Sequence, residues 1–516
     1  MKEDTSRGLM AATDDVVERS MSINSRLPAQ LEKALERNIV LRIGWTTSGD
    51  PVPKNGELGL CPNLPEGARI RSLGELGPFT AAFGKGGTFT HQGNCDSFLG
   101  AGNDGNNITC EREAGSYLAF GQRSGRITVL DGASDDAGAM MSGGLVVIRG
   151  DAGSRIGGGM SGGDIVVHGD VGPDPGAGML GGRIIINGRC PSPPPGVILR
   201  PLEKKEATEI NSLLGEVDLQ VPADAVCLVS DGVPEKGTMK KCTDDFSGIS
   251  IVSSDETHNP SYSTCDTVTL LGERENDENA LALSIPAIPF VSAGVKSDLH
   301  YPCLVRENPR EVDIVLIDAD NLADAGDLVS NSSGFAIDMN SLPHLDSAAI
   351  DGLLVALRGI AGMDARVLMV NGVGSTALLH ANAAHHQVDC AVSVIEDGSG
   401  ICAAATLPIV GRSANSHLSG NCKAVVMLPW VATAEDLIIL CASNISFAIT
   451  PIPEEQIENW ITETGANLMA HLNRLGLSTI DSLSRTNLRA CDQDTAAVSG
   501  LRLAGYDRPL PHWFAR

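Results

Sequence analysis

The chain has 516 residues, a length that allows about three domains with substantial cores. Its 64 Asp and Glu against 38 Lys and Arg give a formal net charge of −26, which argues against sequence-independent binding of nucleic acid. No apolar run approaches the roughly 18 residues of a membrane span, and the first residues lack the apolar core of a signal peptide. The 13 Cys occur singly, without a CxxC pair, as in proteins of reducing compartments. We therefore expect a cytoplasmic protein with no nucleic acid and no membrane among its partners.

Residues 1–66 are predicted to be an entry segment with one helix. We place this helix at residues 28–38, because Pro28 suits its first turn and Leu31 and Leu35 are spaced for one buried face. Prolines then interrupt regular structure up to residue 66. No residue of this segment suggests a reaction.

A sequence repeat with a period of 19 residues dominates residues 67–196. Glycine pairs are unfavourable in a helix, so short strands joined by glycine corners are predicted, with Met141, Met160 and Met179 as interior filler. A period near 20 residues is typical of a solenoid. We predict a right-handed β-solenoid of about seven coils that stacks one interior column. The residues of this column are Ile70, Phe89, Ile108, Ile127, Val146, Ile165 and Ile184.

The repeats end at a proline-rich run, and residues 197–289 are a mixed linking region with a strand at 225–230 and a polar loop at 254–263. In residues 290–516 apolar runs alternate with amphipathic helices, which is typical of a parallel α/β sheet or barrel. Asp346 or Ser347 is predicted to cap one of these helices. The predicted strands are residues 312–317, 366–370, 390–395, 423–428 and 445–449.

Two glycine loops of this last domain follow predicted strands. Phosphates and flavins bind at such loops, at the carboxyl ends of parallel strands, although plain strand-to-helix turns would look the same. No carboxylate pair and no Cys, His and Asp set stands out, so we name no catalytic residue and no metal ligand. The candidate cofactor-binding residues are Gly372, Gly374, Ser375, Asp397, Gly398 and Gly400.

Two parts of the chain resemble the glutamate synthase family. Residues 138–188 are similar to the GXGXG β-helix domain of its large subunit, which also occurs as the C subunit of formylmethanofuran dehydrogenase. The repeat core at residues 158–163, GGMSGG, carries this resemblance. The C-terminal half resembles the later part of the family's flavin barrel, with the two domains in reversed order. The segments that carry the second resemblance are residues 341–346, 370–383, 397–400 and 472–488.

The resemblance implies FMN and an iron–sulfur cluster, but the residues depart from the family pattern. No cysteine follows the strand at 445–449 to ligate iron, and the expected lysine is replaced by Arg366 or Val367. Where the family binds the flavin phosphate, Pro429 has no amide proton, and Trp430 and Phe447 are bulky. The family's amidotransferase domain is also absent. We therefore expect a partial or degenerate TIM barrel without a cofactor, FMN being possible only if the barrel still functions.

Three hypotheses of function follow from these observations. The first is a glutamate synthase-like subunit with a structural or regulatory role in a complex of nitrogen metabolism, whose partners are other subunits or copies of itself. The second is an active flavin-dependent enzyme of the glutamate or N-methylglutamate synthase type. The third, from the repeats alone, is a subunit of a formyl-transferring complex. Whether the chain is an enzyme stays open, because a resemblance of fold does not settle function.

Overall fold

The computed structural model describes residues 14–44, 56–222, 225–232, 245–253, 283–296, 299–396, 400–418 and 422–506. The loop predicted at residues 254–263 lies outside them. The chain divides into two compact units. The first contains Met1–Lys236, Ala319–Ser330 and His344–Asp364, and the second contains Gly237–Asp318, Asn331–Pro343 and Ala365–Arg516.

The first unit is built on a ten-stranded, mostly parallel sheet with the order β1-β2-β3-β4-β5-β6-β7-β8-β10-β9. Strands β1 to β8 pair in parallel, and β10 pairs antiparallel with both β8 and β9. The strands are β1 Leu41–Ile43, β2 Arg69–Leu73, β3 Thr88–Gln92, β4 Asp104–Cys110, β5 Ser124–Val129, β6 Ser142–Ile148, β7 Gly162–Val167, β8 Arg183–Ile186, β9 Val197–Pro201 and β10 Val226–Ser230.

Strand pairing confirms the predicted interior column. Each member lies opposite the residue 19 positions further on, from the pair Ile70 and Phe89 to the pair Ile165 and Ile184. These side chains are at most 1% exposed, so the column is a continuous apolar core. The column continues through Leu228 of β10 to Leu199 of β9.

The glycines of the repeat permit a backbone in which alternate residues are left-handed. In one repeat Arg155, Gly157 and Gly159 have φ of 53°, 66° and 66°. A Cβ on Gly157 would lie 2.6 Å from Ile184 Cδ1, so this position also needs glycine for close packing. Beside it Met160 is fully buried, as the repeat predicted.

In the described residues of the first unit the chain forms four α-helices: α1 Asp14–Glu36, α2 Lys204–Leu214, α3 Ala325–Ser330 and α4 Ser347–Ala361. The helix predicted at residues 28–38 covers only the second half of α1. The observed helix begins at Asp14, and Pro28 lies inside it and not in its first turn. Its N-terminal half docks through Asn24, whose side chain donates to Gly59 O at 2.7 Å and accepts from Cys61 N at 3.2 Å. Asp346 caps α4 as predicted, accepting from Ala349 N.

The second unit is a closed barrel of eight strands, β12 to β19, all paired in parallel. All five strands predicted after residue 290 are present. The strands of this unit are β11 Ile249–Ile251, β12 Ala287–Val291, β13 Leu304–Val305, β14 Ile314–Ile317, β15 Gly334–Asp338, β16 Arg366–Gly372, β17 Cys390–Val394, β18 Lys423–Met427, β19 Phe447–Pro451 and β20 Leu488–Ala490. Its helices are α5 Thr376–His385, α6 Ala403–His417, α7 Ala434–Ala442, α8 Ile457–Leu475 and α9 Gln493–Ser499.

The predicted fold class is wrong in two respects. The repeats form parallel strands of one ten-stranded sheet that continues into the antiparallel strands β10 and β9, and this sheet replaces the predicted β-solenoid. The barrel is closed, whereas a partial or degenerate barrel was predicted. Its first strands escaped prediction because β12 contains Pro289 and β13 is only two residues long. Backbone pairing of β12 with β19 then closes the barrel, and no side-chain pattern signals that pairing.

Candidate functional site

The carboxyl ends of the barrel strands place four charged side chains in one region. In parallel barrels these ends meet at one face, where the loops that follow the strands build the active site. Arg306 follows β13, Asp318 follows β14, Asp338 ends β15 and Glu396 lies just after β17. We call these four residues the mouth cluster.

Two carboxylates of the mouth cluster are neighbours on adjacent strands. Ile317 of β14 pairs with Ile337 of β15, so the next residues, Asp318 and Asp338, lie side by side at the ends of these strands. Asp318 is 4% exposed and forms a short ion pair with Arg306. Burial, and then the nearby charge of Asp318, raises the pKa of Asp338, which also accepts a hydrogen bond from Asn340 N at 3.0 Å. The raised pKa makes the Asp338 carboxyl group suited to hold a proton.

The position of the Glu396 side chain accounts for a glycine at residue 372, one of the predicted cofactor-binding positions. Asn340 Nδ2 donates to Glu396 Oε1 at 2.8 Å, which fixes the carboxylate beside the end of β16. A Cβ on Gly372 would lie 3.1 Å from the same oxygen. Gly372 thus leaves room for a carboxylate, a group that repels phosphate.

The other predicted cofactor-binding residues are only partly brought together. Gly374 and Ser375 form a single turn of 3₁₀ helix that leads into α5, and Gly400, with φ of 74°, precedes α6. Asp397 and Gly398 lie outside the described residues. A role for these residues in cofactor binding stays a prediction.

In the turn after β18, backbone amides are hydrogen-bonded to side chains of the protein itself. Thr433 and Asp436 form a reciprocal capping box at the start of α7, with Thr433 N donating to Asp436 Oδ2 at 2.9 Å. Ala432 N donates to Thr450 Oγ1 at 2.8 Å. Trp430 lies at the same turn, with its Nε1 3.3 Å from Asp436 Oδ2. The amides of Ala432, Thr433 and Asp436 therefore already have side-chain partners.

The turn after β19 is acidic. Glu454 and Glu455 lie in a 3₁₀ turn, and Glu458 follows in the first turn of α8. Glu454 Oε1 also accepts a hydrogen bond from Lys296 N at 2.6 Å. A small cavity of about 330 Å³ beside this turn is lined by the three glutamates, with Leu299 and Asn459. Carboxylates at the start of a helix occupy the place that a bound phosphate would take.

These two turns test whether the barrel fits FMN. In TIM barrels a phosphate is frequently held by the loops after strands 7 and 8 and by a helix N-terminus. Here three amides of the first turn are bonded to side chains, and the second turn presents carboxylates. The residues therefore do not fit a flavin phosphate. Among the described residues no three His, Cys, Asp or Glu side chains are arranged to hold a metal ion.

A second cavity of this unit lies beside α7 and β11. It has a volume of about 950 Å³, and its walls include the edge-on pair Phe246 and Trp430, whose ring centres are 5.6 Å apart. Asp436 and Arg474 supply charged groups of opposite sign. Sequence reasoning missed this cavity, since its walls come from segments far apart in the chain.

Sequence reasoning also missed the mouth cluster, although part of its signal was present. Asp318 directly follows the predicted strand at residues 312–317, and Glu396 directly follows the one at 390–395. A carboxylate placed just after a buried strand lies at the carboxyl end of the sheet. Arg306 and Asp338 carried no such signal, because β13 and β15 were not predicted.

Comparison with known proteins finds distant structural similarity alone. No family model matches the chain, and no curated protein matches it significantly. A flavocytochrome b2 variant is 11% identical, with a TM-score of 0.37 over 51% of this chain and 80% of that one. A mandelate oxidase variant with 2-hydroxy-phenylacetamide is 10% identical, with a TM-score of 0.33 over 46% and 84%. Each similarity covers about half of this chain, at low identity and with a TM-score below 0.5, so no residue role or activity follows from it.

None of the helices in the described ranges combines the length and apolarity of a bilayer-spanning helix.

Proposed function

We propose that this chain is a glutamate synthase-like subunit with a structural or regulatory role in a multi-subunit complex of nitrogen metabolism. The observation that carries the proposal is the pair of turns after β18 and β19. A phosphate would need free amides there, yet Thr433 and Asp436 cap one turn and Glu454 lies in the other. A barrel with bonded amides at one of these turns and carboxylates at the other is unsuited to hold FMN by its phosphate.

Electrostatics of the mouth support the same conclusion. Each carboxylate near a helix N-terminus gains about 0.3–1 kcal/mol from the helix dipole, so it competes directly with a bound anion. Three of the four residues of the mouth cluster are acidic, and Arg306 is already paired with Asp318. An anionic nucleotide tail or a 2-oxo acid would meet repulsion in this mouth.

The features that the chain retains are structural. The glycine-cornered repeats pack into a continuous core, and the barrel is closed by complete strand pairing. The repeat-core sequence GGMSGG at residues 158–163, which resembles a glutamate synthase motif, supports a role beside a glutamate synthase-type enzyme. In such a complex this chain would supply a rigid surface, and another subunit would carry the flavin chemistry.

The test is the composition of the native complex. The full chain is purified under mild conditions from the cells that make it, and stoichiometric partners are identified by mass spectrometry. We expect an amidotransferase subunit and a flavin-containing subunit. Pterin-dependent or formyl-carrier enzymes in their place would contradict the proposal and favour a formyl-transferring complex. Glutamate synthesis by the isolated chain would also contradict it.

A further inference from the structure

The last strand of the ten-stranded sheet leaves apolar side chains in solvent. β9 is an edge strand, and in the described part of the chain β10 is its only partner strand. Ile198 is 42% exposed and Leu199 is 43% exposed. Leu199 ends the interior column that begins at Ile70, so the apolar core of the sheet opens to water at this edge. Open ends of stacked strands are normally covered.

The register shows which backbone groups of β9 point away from β10. Leu202 N donates to Ala225 O, and Asp231 N donates to Gly196 O, both at 2.9 Å. In antiparallel pairs the residues that exchange hydrogen bonds alternate, so the even-numbered residues of β9 face β10. The N–H and C=O groups of Val197 and Leu199 therefore face outward, ready to pair with another extended strand.

We propose that two copies of this chain pair through β9, antiparallel about a twofold axis at Ile198. A row of backbone donors and acceptors selects an extended strand as its occupant. β9 complements itself, because Val197 of each copy can exchange both hydrogen bonds with Leu199 of the other. A contact of this kind uses the same patch twice and closes as a dimer. The proposal does not depend on the proposed function.

The prolines beside these residues fix the register of the pair. A register centred on Leu199 would set the nitrogen of Pro201, which has no N–H, against the carbonyl of Val197. A register centred on Val197 would bring Leu199 against Pro195, which lies in the turn before β9 and outside the strand. Only the register centred on Ile198 pairs both the N–H and the C=O groups of Val197 and Leu199 in both copies. The same prolines end the pairing on both sides, which limits the assembly to a dimer.

This register also covers the exposed side chains. The two Ile198 residues would face each other as a non-hydrogen-bonded pair, about 4.5 Å apart at Cα, with their side chains in contact. Leu199 would pack beside Val197 of the second copy, so the apolar column would continue across the axis. Because the contact is a single short pair of strands, we expect a weak dimer whose population rises with protein concentration.

Sedimentation velocity of the full chain over a concentration series tests the proposal. We expect a concentration-dependent dimer that is lost in the Ile198→Lys variant, because two like charges would meet at the axis. The matched control is Leu213→Lys, the same change at a leucine that is 55% exposed on α2, and it should keep the dimer. A monomer at all concentrations, or a dimer that survives Ile198→Lys, would overturn the proposal. Equal thermal midpoints of the variants check that both fold.

Cross-linking keeps the test decisive if Ile198→Lys fails to fold. In the Ile198→Cys variant, oxidised glutathione should accept two electrons and two protons from the thiols and leave a disulfide between the two copies. Mass spectrometry should identify the peptide of residue 198 linked to itself. The Leu213→Cys variant should give no such link. Absence of the link at position 198 at dimer-forming concentrations, or capture of β9 by a strand of another protein instead, would overturn the proposal.

Discussion

The indole Nε1–H of Trp430 donates a hydrogen bond to Asp436 Oδ2, at 3.3 Å. The same oxygen accepts from Thr433 N at 2.9 Å, and the Trp430 ring stands edge-on to Phe246. One buried carboxylate therefore holds both the start of α7 and the aromatic ring that covers it. The turn after β18 is stabilised by its own residues, and it has no need of a ligand to complete it.

The capping box of α7 should contribute measurably to stability. Thr433→Ala should lower the free energy of unfolding by about 1 kcal/mol, because one helix N–H loses its partner. Asp436→Ala should cost more, since Thr433 N and Trp430 Nε1 both lose an acceptor. Urea denaturation monitored by circular dichroism gives both values. Thr462→Ala, at an exposed position of α8, is the control and should stay within about 0.5 kcal/mol. Equal effects of all three would contradict this account of the turn.

His380 should make the second unit less stable in mild acid. Burial lowers the pKa of His380 from 6.5 to about 4, so the unfolded chain binds a proton more readily than the folded one. The contribution is complete above pH 6.5 and is lost as the pH falls towards about 4, by about 3 kcal/mol in total. His380→Leu should flatten the profile of stability between these pH values. His385→Gln, at an exposed position of the same helix, should leave the profile as it is in the unsubstituted protein. An unchanged slope in His380→Leu would refute the assignment.

Alanine substitutions at two glycines of the repeat should distinguish the cost of backbone strain from the cost of side-chain crowding. Gly178→Ala adds a Cβ that meets nothing within 4 Å, so it should cost only the left-handed strain of φ 70°, about 1 kcal/mol. Gly157→Ala has nearly the same φ of 66°, but its Cβ would lie 2.6 Å from Ile184 Cδ1 and 2.9 Å from Met160 Sδ. Overpacking should therefore add about 1–3 kcal/mol. Thermal and urea unfolding of both variants measure the difference. Equal losses would mean that the interior column is not tightly packed.

The sequence predicted those parts of the fold that repeat or that contrast strongly with their surroundings. Ile70 and Ile184 are linked by steps of 19 residues, and a fixed step is visible without coordinates. The later barrel strands are apolar runs between glycine or acidic turns, and they too were visible. The antiparallel strands at the end of the sheet broke the analogy with a solenoid, because Leu228 and Leu199 follow no repeat.

The site could be predicted less completely, for a physical reason. The bulk of Trp430 and the missing amide proton of Pro429 can be deduced from the residues themselves. Partnerships such as Asn340 with Glu396, or Arg306 with Asp318, arise only when distant loops converge on one face of the barrel. Short strands such as β13 offer too few side chains to form a pattern.

Titration of the purified full chain with FMN tests the central claim most directly. The claim is that the turns after β18 and β19 offer no place for a flavin phosphate. Calorimetry and visible absorption should show no saturable binding of FMN at micromolar concentrations, and the protein should carry no yellow chromophore when isolated. Stoichiometric flavin, whether retained on purification or bound tightly in the titration, would contradict the claim.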